Sequence, residues 1–307
     1  LEVVQMRWQK LFTASFEESL NLQDDVFYNI ANKTYKKAIE ENKLEWSLKN
    51  KISTVILSLL FPFGVNFLLI VINNYILYNV DSKDLTVSGI EFNFLPYLVY
   101  WFFVSLWLLI ILIGKRFSQR FLFIYRTHFH VQVVYLTWLI IEFNLFFLTM
   151  FYSSLTLLGV IAFFGTISLV SFCIVRSRII SLLELMYNEP MKTTKLDNWL
   201  SKFISFVFKY GWGFVLAGLL LKFIFPSSTG IRIDWLGYIL VVGMWAVINI
   251  VFISAESFVF FPYFLYAYYK LKYPEEYREW EGKTIEEWYG EKYLKKQEER
   301  KKRNGRK

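Results

Sequence analysis

A chain of 307 residues that is 55% hydrophobic and 21% aromatic, with a mean hydropathy of +0.36, lies outside the composition of an ordinary soluble domain and belongs in lipid. Its net charge of +8 does not point to nucleic acid, because no basic stripe interleaved with aromatics stands apart from the edges of apolar stretches. The single cysteine, Cys173, excludes an internal disulfide and any CxxC metal or redox motif.

Residues 1–51 are too polar for a secretory signal and show no short apolar core followed by a small-residue cleavage site. Phe12, Phe16 and Leu20 recur at a spacing of four, and Phe27, Ile30, Thr34 and Ala38 share a helical face. This predicts one or two amphipathic helices, packed on the protein's own inner loops or lying at headgroup level.

Six apolar stretches between residues 52 and 268 are long enough to cross a hydrocarbon core as helices: Ile52–Tyr78, Phe94–Gly114, Val131–Phe151, Leu155–Val175, Phe203–Pro226 and Trp235–Phe258. None alternates with period two, so a barrel is excluded. The first is interrupted by "FPFGVNF", where Pro62 removes a helix hydrogen bond, Gly64 loosens the turn and Asn66 adds a polar group. The fourth and fifth carry small-residue tracks, Gly159/Ala162/Gly165 and Gly211/Gly213/Ala217/Gly218, which suit close helix packing in lipid.

Thirty of the 34 lysines and arginines fall in 1–51, 115–130, 176–202 and 269–307, whereas the opposite loops hold only Lys83 and Arg232. By the positive-inside rule both termini are cytoplasmic. The expected fold is therefore an all-α integral membrane protein with six transmembrane helices, N-in and C-in, in the plasma membrane, its basic loops meeting anionic headgroups of the bilayer.

One ionisable residue lies deep. Glu142 is eleven residues beyond Val131, about 16 Å into the membrane, where a charge costs at least about 3 kcal/mol and snorkelling cannot relieve it. Tyr135, Trp138 and Thr149 share its face while Asn144 points elsewhere; Asn249 and Glu256 share a face of the sixth span, with Glu256 near the cytoplasmic end. Glu142, Asn66, Asn249 and Glu256 are the candidates for a substrate or ion pathway. The alternative is a protonated Glu142 held by a neighbouring Asn or Tyr as a structural element. His128 and His130, two apart on a helix, project to different sides and do not form a metal site.

The tail, 269–307, is basic but holds Trp280, Trp288 and four tyrosines between Lys272 and Lys296, unlike a disordered overhang. Thr284 and Glu287 have capping-box spacing, predicting a short helix from Ile285. Trp280, Trp288, Lys295 and Lys296 are candidates for docking a cytoplasmic protein partner or lipid. "GKT" at 282–284 lacks the upstream glycine and strand of a phosphate loop, and no hydrolase, zinc-protease or dinucleotide signature occurs, so neither an enzyme activity nor a cofactor is expected. Six spans with inside termini and an amphipathic lead-in resemble the layout of the membrane subunits of some ATP-driven exporters. That analogy implies a permease-like transport component whose ATPase is a separate protein. The other reading is a structural or accessory subunit of a larger membrane assembly.

Overall fold

The computed structural model describes residues 2–26, 28–29, 52, 56, 59–80, 92–190, 198–199, 202, 206, 209–210 and 235–304. Most of the predicted fifth span, of the first outer loop and of the second N-terminal amphipathic run lies outside these residues. Every regular element among the described residues is helical. We number them α1 (Glu2–Thr13), α2 (Phe16–Leu20), α3 (Phe61–Asn79), α4 (Tyr97–Gly114), α5 (120–155), α6 (157–187), α7 (235–272), α8 (Pro274–Trp280), α9 (Ile285–Tyr289) and α10 (Glu291–Asn304).

Among the described residues, four helical stretches are long and apolar enough to cross a membrane: Phe61–Asn79, Tyr97–Gly114, Arg120–Tyr187 and Tyr238–Lys272. Their polarity is that of a protein in lipid. On α4, Tyr100, Val104 and Trp107 form the buried stripe, whereas Leu98, Trp101, Phe102, Leu109 and Leu112 face outward.

The 68-residue stretch Arg120–Tyr187 would span about 100 Å if straight, three times a hydrocarbon core. It is broken at Thr156, whose φ of 59° and ψ of 168° are not helical. Trp245 shows that the chain reverses there. Its ring lies 5.4 Å from Phe147 on α5 and 4.1 Å from Phe163 on α6, although a straight helix would part those two phenylalanines by about 24 Å.

Contacts to α5 fix the direction of each neighbour. Trp107 of α4 meets Tyr135 and Tyr100 meets Trp138, so α4 is antiparallel to α5. Phe61 stacks on Tyr135 at 5.6 Å, and beyond the far end of α3 the Phe94 N–H bonds Thr149 Oγ1 at 3.0 Å, so α3 runs parallel. Tyr238 meets Phe151 while Tyr263 meets Tyr125, so α7 is antiparallel and runs in the same direction as α6.

At the end that carries the N-terminal helices, α6 and α7 continue well past their predicted apolar limits, to Tyr187 and Lys272. The extension arises because their last turns bury an apolar face against α1, α2 and the tail. Leu11, Leu22, Leu182, Leu183, Tyr266, Tyr269, Tyr277 and Trp288 form one core there. Tyrosine hydroxyls close the backbone groups of the α1–α2 turn: Tyr269 Oη donates to Leu11 O at 2.6 Å, and Tyr273 Oη to Ala14 O at 2.8 Å. Ser15 caps α2 in a capping box with Glu18. Thus Phe12, Phe16 and Leu20, the expected amphipathic face, pack on the protein itself. The ion pair of Asp25 and Arg178, 2.7 Å and buried at both ends, pins this cap to α6.

Candidate functional site

Glu142 is completely enclosed, with no exposed surface. Trp138, one turn earlier on α5, donates its indole N–H to Glu142 Oε1 at 2.6 Å. Asn66 of α3 reaches the same indole: in the amide orientation its neighbours require, it accepts from Trp138 Nε1 at 3.1 Å and donates to Phe61 O at 3.0 Å. Two of the predicted site residues are thereby brought together through a third, Trp138. Rings from α4 wall the group, with Tyr100 5.8 Å and Phe103 5.6 Å from the indole.

Local backbone geometry places these groups. "FPFGVN" forms a π-helical turn, Phe61–Asn66, where Pro62 supplies no N–H and the widened turn lets the Asn66 amide bond back to Phe61 O. Two further π-turns, Phe129–Tyr135 in α5 and Glu256–Phe260 in α7, contact each other. The stacking of Phe61 on Tyr135 puts the α3 turn at the same level. Three adjacent helices therefore depart from α geometry at one depth, on the capped side of Glu142.

Asn249 does not join Glu142. It pairs with Asn144 across α5 and α7 in two amide hydrogen bonds, 2.8 and 2.9 Å, and Trp245 donates its indole N–H to Asn144 Oδ1 at 2.6 Å. Asn144 does point away from Glu142, as helical spacing requires, and the direction it takes is toward α7. Glu256 also stands apart, in the α7 π-turn, and its buried Oε1 has no hydrogen-bond partner among the described residues. The four pathway candidates thus divide into a Glu142–Asn66 cluster, an Asn249 cluster and a separate Glu256.

The histidines diverge. His128 Nδ1 is 2.9 Å from Tyr263 Oη on α7, whereas His130 Nε2 lies beside Gly114 at the end of α4. Among the described residues, no three His, Cys, Asp or Glu side chains gather into a metal-binding group.

In the tail, Thr284 caps α9 in a capping box with Glu287 and the helix begins at Ile285, as its spacing predicts. Trp288 is buried and stacks on Phe121 at 4.5 Å and 15°. Lys270, also buried, has its ammonium over Trp288, Tyr125 and Tyr266 at 5.1–5.6 Å and forms an ion pair with Glu281. Trp280 is exposed on α8; Lys295 and Lys296 are exposed on α10, Lys295 3.6 Å from Glu291. Trp288 thus serves the chain's own cap, while the other three tail candidates face outward.

Sequence reasoning missed Asn144, Lys270 and the Asp25–Arg178 pair. Asn144 had a signal, being one of the few amides inside an apolar span; Lys270 and Asp25 had none, because solvated charges at helix ends look the same. Comparison of the chain with models of protein families, with curated proteins and with solved structures finds no match.

Proposed function

We propose that the chain is a six-crossing component of a membrane transport system, with Glu142 as a proton- or cation-handling group. One observation carries the reading: a carboxyl group without exposed surface lies where α3, α4 and α5 meet, held by the Trp138 indole that Asn66 also bonds, with no paired cation among the described residues. Such a group costs a bundle stability that an amide or an apolar residue would not cost. The π-turns beside it support the same reading, since such turns concentrate at functional sites.

The six crossings are supported by direction. Because α6 and α7 run the same way, α6 ends at the capped end and α7 begins at the opposite one, which agrees with a further crossing at the apolar sequence 203–226. The basic bias of the loops supports a cytoplasmic location for the capped end and both termini, and a cell-membrane setting.

In the conformation described, Glu142 is shut off, so ion handling requires α3 to move relative to α5. The turn at Pro62 and Gly64 is the hinge for that movement. The test is uptake of protons or sodium into proteoliposomes holding the full chain, followed with entrapped indicator dyes under an imposed potential. Uptake above that of protein-free vesicles supports the proposal, and its absence counts against autonomous transport.

A second reading, an accessory subunit of a membrane assembly, is favoured by the folded cap, which presents Trp280 and α10 beside a packed core. Purification in mild detergent with native partners, with and without residues 270–307, distinguishes it: a partner lost on truncation identifies the tail as its docking element.

A further inference from the structure

The seam between α6 and α7 is open along much of its length. Two clefts, about 520 and 360 Å³, share Ile167 as a lining residue. The smaller runs from Leu155 past Gly159 and Ala162 against Val242 and Ala246; the larger continues past Ile253 toward Ile180. Ile161 and Phe172 beside them are more than half exposed, so the seam faces the surrounding medium, which at this depth is lipid.

Its polarity has a direction. The deep part is apolar, and two of its hydroxyls are already bonded to their own helix, Thr166 to Ala162 O and Ser171 to Ile167 O. At the capped end the lining changes to Arg176 and Trp8. Trp8 is held there by edge-to-face contact with Phe261, so an amphipathic aromatic and a guanidinium stand where the membrane meets the cap. Water is disfavoured in such an apolar cleft, and an occupant matched to it is apolar along its length with a negative charge at one end. Basic pockets between helices on the cytoplasmic side recognise anionic headgroups in this way.

We propose that the α6–α7 seam binds an anionic phospholipid of the leaflet on the capped side, its phosphate at Arg176 beside Trp8 and an acyl chain laid along the seam past Ile167. The site is independent of Glu142, which faces α3 and α4.

The experiment places the full chain in phosphatidylcholine vesicles containing a photoactivatable phosphatidylglycerol and maps the crosslinks by peptide mass. Label is expected to concentrate in residues 167–180 and around Trp8 relative to the outer face of α4 at Leu98 and Trp101. Unlabelled phosphatidylglycerol should compete about fivefold better than phosphatidylcholine. Arg176→Gln should remove that preference, Arg176→Lys should keep it, and Arg116→Gln, in the α4–α5 loop, should leave it unchanged. Equal labelling of the seam and the α4 face, or a preference unaltered by Arg176→Gln, overturns the proposal. So does loss of the preference in the Lys variant as in the Gln variant, which would make the effect one of folding rather than charge. A seam labelled less than α4 also overturns it, since protein rather than lipid would then fill the groove.

Discussion

Glu142 and Asn144 stand two residues apart on α5 and serve opposite sides of the bundle. Glu142 is bonded to Trp138 on the face shared with Asn66 of α3, and Asn144 is bonded to Asn249 and Trp245 of α7. Rotation of about 200° between them makes α5 the central helix, with one polar cluster on each flank. The two clusters differ chemically: one is built of neutral amides with matched donors and acceptors, the other contains an ionisable group.

The amide cluster is expected to be structural. Asn144→Leu leaves the Trp245 N–H without its acceptor and Asn249 Oδ1 without its donor, the Asn249 amide N–H keeping only Trp245 O, at a cost of about 1–3 kcal/mol. Asn249→Leu should cost less, because Asn144 keeps Trp245 and Ile140 O. Thermal unfolding of both single variants and the double variant in detergent should give a coupling of about 1 kcal/mol; additive losses would show that the pair does not act as a unit.

Asp25→Ala leaves the buried Arg178 guanidinium with Phe258 O but without its carboxylate, and should destabilise the cap by about 3–5 kcal/mol. Asp25→Ala combined with Arg178→Met removes both charges and should recover much of that loss. The check is protease cleavage within α1 and α2 alongside the unfolding midpoint. If the double variant is no better than Asp25→Ala, the ion pair is not what holds the N-terminal helices to α6.

Trp288→Ala should release the tail without dissolving the bundle. Loss of a buried tryptophan stacked on Phe121 costs about 3–5 kcal/mol, and Thr284→Ala, which removes only the α9 cap, about 1 kcal/mol. Limited proteolysis should cut after α8 faster in the first variant than in the second, with Glu142-dependent behaviour intact in both. Equal cutting of wild type and Trp288→Ala would mean that the tail is not held through this ring.

The tail should also loosen in acid. Hydrogen bonds from the Tyr289 hydroxyl and Arg278 hold the Glu275 carboxyl below its usual pKa, and those from Thr284 do the same for Glu287. Because these values are depressed in the folded state, the stabilisation is present above the unfolded value of about 4.3 and lost as pH falls through the folded values. Both groups are solvent-facing, so the effect is modest and weaker in high salt. Protection of the tail from an acid-active protease should stay constant from neutrality to about pH 4.5 and decline below it, and the Glu275→Gln variant should decline less. A decline centred near neutrality would point to other groups.

The sequence made legible what depends on local pattern. The apolar helices among the described residues, the interruption at Pro62 and Gly64 and the Thr284 cap are each set by residues within a turn or two of one another, and the enclosure of Glu142 follows from the apolar run around it. Pairings between distant segments were not legible: Asn144 with Asn249, Asp25 with Arg178 and Lys270 with its three rings depend on which helices become neighbours. Hydropathy also ended α6 and α7 too early, because their last turns bury a face rich in tyrosine against the cap rather than against lipid. The place of Asn66 was legible only in part; its polarity marked it, but its link to Glu142 runs through Trp138, whose ring alone suggests packing.

The central claim is that Glu142 is present for its ionisation. Glu142→Gln preserves shape and can still accept from Trp138 Nε1, so it should fold with a near-wild-type unfolding midpoint. Glu142→Leu removes the shorter of the two acceptors of that indole N–H, leaving it Asn66 alone, and should be the less stable variant. The decisive measurement pairs thermal stability in detergent with proton or sodium uptake in proteoliposomes for wild type and Glu142→Gln. The account predicts an unchanged midpoint with uptake abolished; a well-folded Gln variant with wild-type uptake would contradict it.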